Sequence, residues 1–288
     1  MIDKPRGLTS HDVVASVRRV LGERRVGHTG TLDPLATGVL PLLLGRATRL
    51  AQFLSGADKT YEAHVRFGWE TETDDETGAA AGDGIETAVE PAAIERALAA
   101  FRGPLLQRPP RFSAKKIRGQ RAYALAREGI AEPDLAPAAV VVHQLDLIGM
   151  QDGGAILHVV CSAGCYVRAL ARDLGRALGT GAHLSALRRL ASGRFTLADA
   201  VPLDEVLADP EAARRAVRPP GRAVEELPAV TVAGEALARV RHGAEVAAGG
   251  IEAPPEGLVR LVDPAGALVA IARRGARPDL LHPFVVLM

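Results

Sequence analysis

Between two apolar segments the chain reads GHTGTLDPLATG, residues 27–38, and within it Asp33 is the residue that can carry chemistry. A carboxylate can attack a carbon or remove a proton. Placed before Pro34, it can also simply start a turn, because aspartate bonds nearby backbone amides and proline presets the backbone. Several other chemistries lack their residues. Neither this stretch nor GVLPLLLGRAT (38–48) contains the GK[ST] step of a phosphate-binding P-loop. The GxSxG elbow of serine hydrolases is absent. Ordinary glycoside hydrolysis uses two carboxylates. Asp33 is the only acid between 27 and 57, so a partner would have to come from the acidic stretch at 70–90. The two cysteines, Cys161 and Cys165, sit in CSAGC with no second pair and no histidine cluster. That pattern supports neither a disulfide framework nor a zinc site, and it points to a reducing compartment.

Charge is unevenly placed. The net value is only +1, yet Glu70–Glu90 holds eight acids and no Lys or Arg, whereas Arg108–Arg127 holds seven bases and no acid. The basic segment, RPPRFSAKKIRGQRAYALAR, interleaves Phe112 and Tyr123 with its charges, a composition suited to phosphates and stacked bases. Read alone, a charge run of this kind is more often a solvated loop and helix. At 288 residues and 48% hydrophobic the chain can bury a sizeable core. No run of about 18 apolar residues occurs, and MIDKPRG has no apolar signal core, so the expectation is a cytoplasmic protein that does not span a membrane.

The elements that must position these residues follow from periodicity. Ser10 and HDVVASVRRVLG place Val13, Val14, Val17, Val20 and Leu21 on one helical face, with Asp12 early, Arg18 and Arg19 late and Gly22 as a stop. Val39–Leu44 reads as a short buried run, and Ala47, Leu50, Ala51, Phe53 and Leu54 as a second helical stripe. Tyr61, Ala63, Val65 and Phe67 alternate with polar residues as a strand. Ile94, Ala97, Leu98 and Phe101 predict a helix between Pro91 and Gly103. Val140–Ile148 and Ala155–Cys161 predict a hairpin turning at Asp152–Gly154. A helix follows, with Val167, Leu170, Ala171, Leu174 and Leu178 buried and Arg168, Arg172 and Arg176 on a solvated face. Short β-type segments such as LVRLVDPAGALVAIARR come after about Val217, with DPAG as a hairpin turn, so a boundary is placed near Pro220. The class is α+β.

Several motifs together resemble the TruB-type tRNA pseudouridine synthases. They are DKPRGLTSHDVV, GHTGTLDPLATGVLPLLLGRATR, KTYEAHVRFG, RFSAKKIRGQRAYALAREG, CYVRALARDLG and AHLSALRRL, in that order and over nearly the whole chain. The extended glycine-rich run is the most specific of them. The resemblance implies a mixed β-sheet catalytic core with flanking helices at 1–220. It also implies a small β-rich, PUA-like RNA-binding domain at 221–288. The implied activity is isomerisation of uridine 55 in the tRNA T-loop to pseudouridine, by a monomer that needs no metal or cofactor. A non-catalytic RNA-binding or tRNA-folding protein on the same fold is the alternative.

By that resemblance Asp33 is the catalytic aspartate, Arg168 the arginine paired with it, and Tyr61 the tyrosine lying against the target base. His28 matches the histidine that fills the space left by a flipped nucleotide. Lys4, Arg49, Lys115, Lys116 and Arg118 would meet phosphates, Tyr166 would join the RNA contacts, and Leu187 would wall the uracil pocket. Thr71, Thr73 and Asp75 keep a T-x-T-x-D spacing that makes Asp75 an RNA-site candidate, although Glu72 stands where aspartate is commoner. Phe112 stands where many members have tyrosine, which weakens any claim that a hydroxyl is needed there. Arg172 and Arg176 keep the reading of solvated helix arginines.

Overall fold

A computed structural model describes residues 1–82, 84, 88–112, 116–117, 120–121, 136–248, 257–277 and 279–288. The N-terminal part runs β1 (Ile2–Lys4), α1 (Ser10–Leu21), β2 (Val26–His28), β3 (Thr37–Leu40), β4 (Leu42–Leu44) and α2 (Ala51–Leu54). The middle runs β5 (Lys59–Phe67), β6 (Glu70–Thr71), β7 (Ala80–Ala81), α3 (Pro91–Leu98) and β8 (Gly103–Gln107). It continues through β9 (Lys116–Ile117), β10 (Gln120–Arg121), β11 (Ala138–Gln151), β12 (Gly154–Cys161), α4 (Val167–Ala177), β13 (Ala182–Ser192) and β14 (Phe195–Thr196). The C-terminal part has β15 (Val201–Pro202), α5 (Leu203–Ala208), α6 (Pro210–Arg215), β16 (Ala229–Thr231) and α7 (Gly234–Arg241). It ends with β17 (Val246–Ala247), β18 (Leu258–Val262), β19 (Leu268–Arg274) and β20 (Leu280–Val286).

These elements form two compact units. The first comprises Met1–Ser10, Leu32–Leu40 and Gly56–Ala200. Its strands lie in the order β1, β3, β13, β5, β12, β11, β8. Every neighbouring pair is antiparallel except β13 with β3, so the sheet is mixed. β5 buries Tyr61, Ala63, Val65 and Phe67, as its alternation predicts. The hairpin of β11 and β12 turns at Asp152 and Gly153, both at positive φ (49° and 73°), the two-residue geometry that matches strand twist. α4 packs on β13, and Gly175 permits this, because a Cβ there would overlap the Ala182 backbone nitrogen. Gly38 is the glycine of the 27–38 stretch that the backbone demands. Its φ is 101° and an added Cβ would fall on the Arg189 carbonyl of the neighbouring strand. Gly27 and Gly30 have no positive φ.

The second unit comprises His11–Thr31, Pro41–Ser55 and Val201–Met288. It contains a sheet in the order β16, β18, β19, β20, β17. Val230, Val240, Val259, Leu261, Val269, Ala270 and Leu281 are among the side chains of its core. The expected turn at Asp263–Gly266 joins β18 to β19, with the Asp263 carboxylate accepting from the Ala265 and Ala267 amides (3.0 and 2.9 Å). The stripe from Ala47 begins as a 3-10 turn, Gly45–Leu50, before α2. Phe53 meets Phe284 edge-on at 6.0 Å, and Arg49 donates to the Val286 carbonyl (2.6 Å). Among the described residues no helix is long and apolar enough to cross a membrane.

Candidate active site

Asp33 sits in a turn fastened from several sides. The buried Ser10 hydroxyl donates to the Leu32 carbonyl (3.1 Å) and accepts from the Leu32 amide (2.8 Å). The Ala36 amide closes the turn onto the Asp33 carbonyl at 3.0 Å, with Pro34 fixing φ between them. The Gly7 amide donates to the Pro34 carbonyl at 2.8 Å. Lys4 adds a further tie. It is fully buried, and its ammonium donates to the carbonyls of Pro5 (2.9 Å), Leu8 (2.7 Å) and Pro34 (3.5 Å). The expectation that Lys4 meets a phosphate is therefore corrected. A lysine that buries its charge must surround it with acceptors, and here those acceptors hold β1 to the turn that carries Asp33.

Arg168, in the first turn of α4, delivers its guanidinium to this turn. Nε donates to Asp33 Oδ2 (2.9 Å), Nη1 to the Thr73 carbonyl (2.8 Å) and Nη2 to the Phe112 carbonyl (3.0 Å). Its side chain is 5% exposed against 35% for Asp33, so the arginine is a buried strut and the carboxylate is the end that faces outward. Asp75 stands 3.6 Å from Nη1. Its Oδ1 accepts from the hydroxyls of Thr73 (2.7 Å) and Thr77 (2.5 Å) and from the Thr77 amide (3.0 Å). The reading of Asp75 as an RNA contact is corrected on this ground: a carboxylate 5% exposed and so occupied organises the loop that receives Arg168. The Thr-x-Thr-x-Asp spacing is thus a folding device for one tight loop, in which Thr71 also donates to the Asp75 carbonyl (2.6 Å).

The other two α4 arginines extend the pattern. Arg172 is buried, pairing through Nη1 with Asp74 Oδ2 and through Nε with Asp173 Oδ1, both at 2.8 Å, and donating to the Arg108 carbonyl (3.1 Å). Its reading as a solvated arginine is corrected: the acidic loop covers it. Asp74 occupies positive φ (61°), a conformation aspartate tolerates better than most residues, and burial pushes its carboxyl above the usual range despite Arg172. Arg176 is the exposed member, forming a two-pronged pair with Glu70 (2.7 and 2.7 Å) that holds the Glu70 carboxyl below its usual range.

Tyr61 belongs to a neighbouring cluster on the sheet. It lies opposite Arg189 in the β5–β13 register, and Leu187 lies opposite Ala63 on the same face. Arg189 is 1% exposed, donates to the Val39 carbonyl (2.7 Å) and hydrogen-bonds the Tyr61 phenol. Burial pushes the Tyr61 phenol up to about 12, which keeps it protonated across the neutral range. Sequence reasoning missed Arg189, because it stands beside Arg188 in AHLSALRRLAS and no local signal separates the buried arginine from its neighbour.

Gln107 positions the start of α4. Its amide donates to the Tyr166 carbonyl (3.0 Å) and accepts from the Tyr166 amide (2.8 Å), serving a helix end that its own N-cap side chain leaves unserved. His28 ends β2, opposite Leu42 of β4, and with Arg49 it belongs to the second unit. Lys115 and Arg118 lie outside the described residues, as does Tyr123, and Lys116 is described only as backbone of β9. Among the described residues no group of three or more His, Cys, Asp or Glu side chains is placed to hold a metal ion.

Comparison with known proteins supplies the family. Residues 18–167 match the model described as TruB family pseudouridylate synthase, N-terminal domain. Residues 168–225 match that of the tRNA pseudouridylate synthase B C-terminal domain. A tRNA pseudouridine synthase B from Solibacter usitatus is 46% identical over 290 residues, covering 100% of this chain and 98% of that protein. One from Symbiobacterium thermophilum is 48% identical over 83% of this chain and 80% of its own. Among solved structures, a chain in a Cbf5-Nop10-Gar1 complex superposes with a TM-score of 0.75 at 30% identity, covering 100% of this chain and 84% of that one. One in an H/ACA RNP bound to a substrate RNA containing 2'-deoxyuridine does so at 0.75 and 28%, with the same coverages. With both family models lying end to end across residues 18–225 and full-length relatives at this identity, the chain belongs to the TruB family of pseudouridylate synthases.

Proposed function

We propose that this enzyme acts on tRNA and converts uridine 55 of the T-loop to pseudouridine, with Asp33 as the catalytic carboxylate. The observation that carries the reading is the Arg168–Asp33 contact at 2.9 Å, in which a buried guanidinium aims a partly exposed carboxylate from a turn tied down from several sides. Its relatives bear the name tRNA pseudouridine synthase B. The isomerisation breaks the N1–C1′ bond, turns the uracil and forms C5–C1′. The C5 proton leaves and N1 takes one up, so composition is unchanged. Asp33 serves either as the nucleophile toward the sugar or as the base that takes a ribose proton.

Access to a uridine in a folded loop requires extrusion. His28 fills the vacated space in this reading, Tyr61 and Leu187 border the base, Tyr166 joins the RNA contacts, and Arg49, Lys115, Lys116 and Arg118 engage phosphates. Residues 1–220 act as the catalytic domain and 221–288 as a PUA-like RNA-binding domain, in a cytoplasmic monomer. Lys4 and Asp75 have no RNA contact in this proposal, since both are buried with their charged groups taken up by partners within the protein.

The test uses a T-loop stem-loop carrying tritium at C5 of the target uridine. Wild type releases the label and Asp33→Asn does not, while both bind the RNA within a few-fold of each other. Label release by Asp33→Asn at the wild-type rate removes Asp33 from the chemistry. Binding without release by the wild type favours a purely RNA-binding role.

A further inference from the structure

The CSAGC motif takes no part in the chemistry above, yet the fold brings its two ends together. β12 ends at Cys161, which lies between Lys59 of β5 and Val142 of β11. The chain then turns through Ser162–Cys165, with the Cys165 amide on the Ser162 carbonyl (3.4 Å) and Gly164 at φ 86°. Ser162 is fixed to β11 from both sides: its amide donates to the Val141 carbonyl (2.8 Å), and its hydroxyl accepts from the Val141 amide (2.9 Å). This anchored turn carries Cys165 back to the end of β12, and the two thiols interact there, each being the largest influence on the other's proton affinity. Cys161 is 1% exposed, whereas Cys165 is partly open to solvent. We propose that Cys161 and Cys165 are a modification site, a dithiol that a hydroperoxide closes to a reversible intramolecular disulfide at the entrance to α4.

The order of events follows from the surroundings. The Cys161 thiol and the Gln107 amide both hydrogen-bond Cys165 and draw its thiol below the usual range, while the same hydrogen bond and burial push Cys161 up. The cysteine of the less buried residue is therefore also the better thiolate. Cys165 thiolate attacks the peroxide O–O bond and becomes the sulfenic acid, releasing hydroxide that a proton converts to water. Cys161 sulfur then attacks Cys165 sulfur, expelling the hydroxyl as a second water and leaving the S–S bond. Two thiols lose two electrons and two protons in all, and the peroxide takes them up. A small dithiol reverses the step by exchange. Only three residues separate the two cysteines, and the turn between them is already anchored to β11, so little chain ordering remains for bond formation.

The experiment treats the folded, full-length protein with hydrogen peroxide, blocks remaining thiols with a maleimide and measures the non-reduced peptide containing both cysteines. The wild type is expected to lose two hydrogens in mass within that one peptide and to recover both thiols with dithiothreitol. Cys161→Ser stops at a Cys165 sulfenic acid that dimedone captures, and Cys165→Ser gives neither product. Circular dichroism spectra superposing on wild type keep these variants interpretable, and the wild-type peptide result stands without them. Three outcomes overturn the proposal: a Cys165 sulfinic acid with no bridge in the wild type, a bridge only between two molecules, or thiols that react only after denaturant is added.

Discussion

Arg168 shows how much one side chain can fix. Three of its nitrogens reach one carboxylate and two main-chain carbonyls from separate parts of the chain, a fan that only a planar guanidinium presents. Arg168→Lys keeps the charge but gathers its three N–H donors on one nitrogen, which cannot span the separate directions that the guanidinium fork reaches, so buried acceptors lose their donor. Each such loss costs about 1–3 kcal/mol; the variant is expected to unfold about 2–4 kcal/mol more easily in urea. The misplaced Asp33 is expected to lower turnover by about 10²-fold in single-turnover assays. Full turnover in Arg168→Lys would mean that position, as opposed to charge, is unimportant at Asp33. Lys4 carries the same lesson in reverse, since its chemistry suits a phosphate and its burial gives it three carbonyls instead.

At the scale of elements, α4 and the loop after β5 form one electrostatic seam: Arg168 with Asp75, Arg172 with Asp74, Arg176 with Glu70. Its members differ in pH response. Glu70 has a folded-state affinity for protons below that of the unfolded chain, chiefly through its hydrogen bond from Arg176. Its stabilisation is therefore complete above the ordinary glutamate range and is lost as pH falls through its depressed folded value. Asp74 is shifted the opposite way by burial, so the folded state takes up its proton first and is favoured as pH drops through that window. The difference in unfolding free energy between wild type and Glu70→Gln should thus be constant near neutrality and shrink as pH falls below the usual glutamate range. Urea titrations at a series of pH values measure it, and a difference that grew toward acid would reverse the assignment. Both halves of the seam were visible in sequence, as an acidic run and an arginine stripe four residues apart. Their pairing was not, because a charged helical face is ordinarily solvated and nothing local ties residue 74 to residue 172. β5, the β11–β12 hairpin and the apolar face of α4 were legible for the complementary reason: hydrophobic period reports burial directly.

For the whole molecule, sequence texture marks a change near Pro220, whereas the second compact unit gathers His11–Thr31 and Pro41–Ser55 with everything from Val201 onward. Periodicity reports on faces of single elements, so it cannot show that a segment from the first fifth of the chain shares its core with the last. Phe53 against Phe284 at 6.0 Å and Arg49 on the Val286 carbonyl are among the contacts that join them. Arg273 lies 5.4 Å over the Phe284 ring from β19, so this ring couples the sheet to the early segment. An edge-on aromatic pair contributes about 0.5–1.5 kcal/mol beyond the area it buries. A double-mutant cycle of Phe53→Leu and Phe284→Leu should accordingly return a coupling of about 1 kcal/mol. If the unit opens cooperatively, native-state hydrogen exchange should place the protected amides of 42–54 and of β18–β20 in one group with a common opening free energy. Phe284→Leu should lower that value for both segments while leaving β5 and β12 unchanged, since those strands belong to the other unit. Exchange of 42–54 that instead tracked β5 in wild type and variant would assign this segment, energetically, to the unit that carries Asp33.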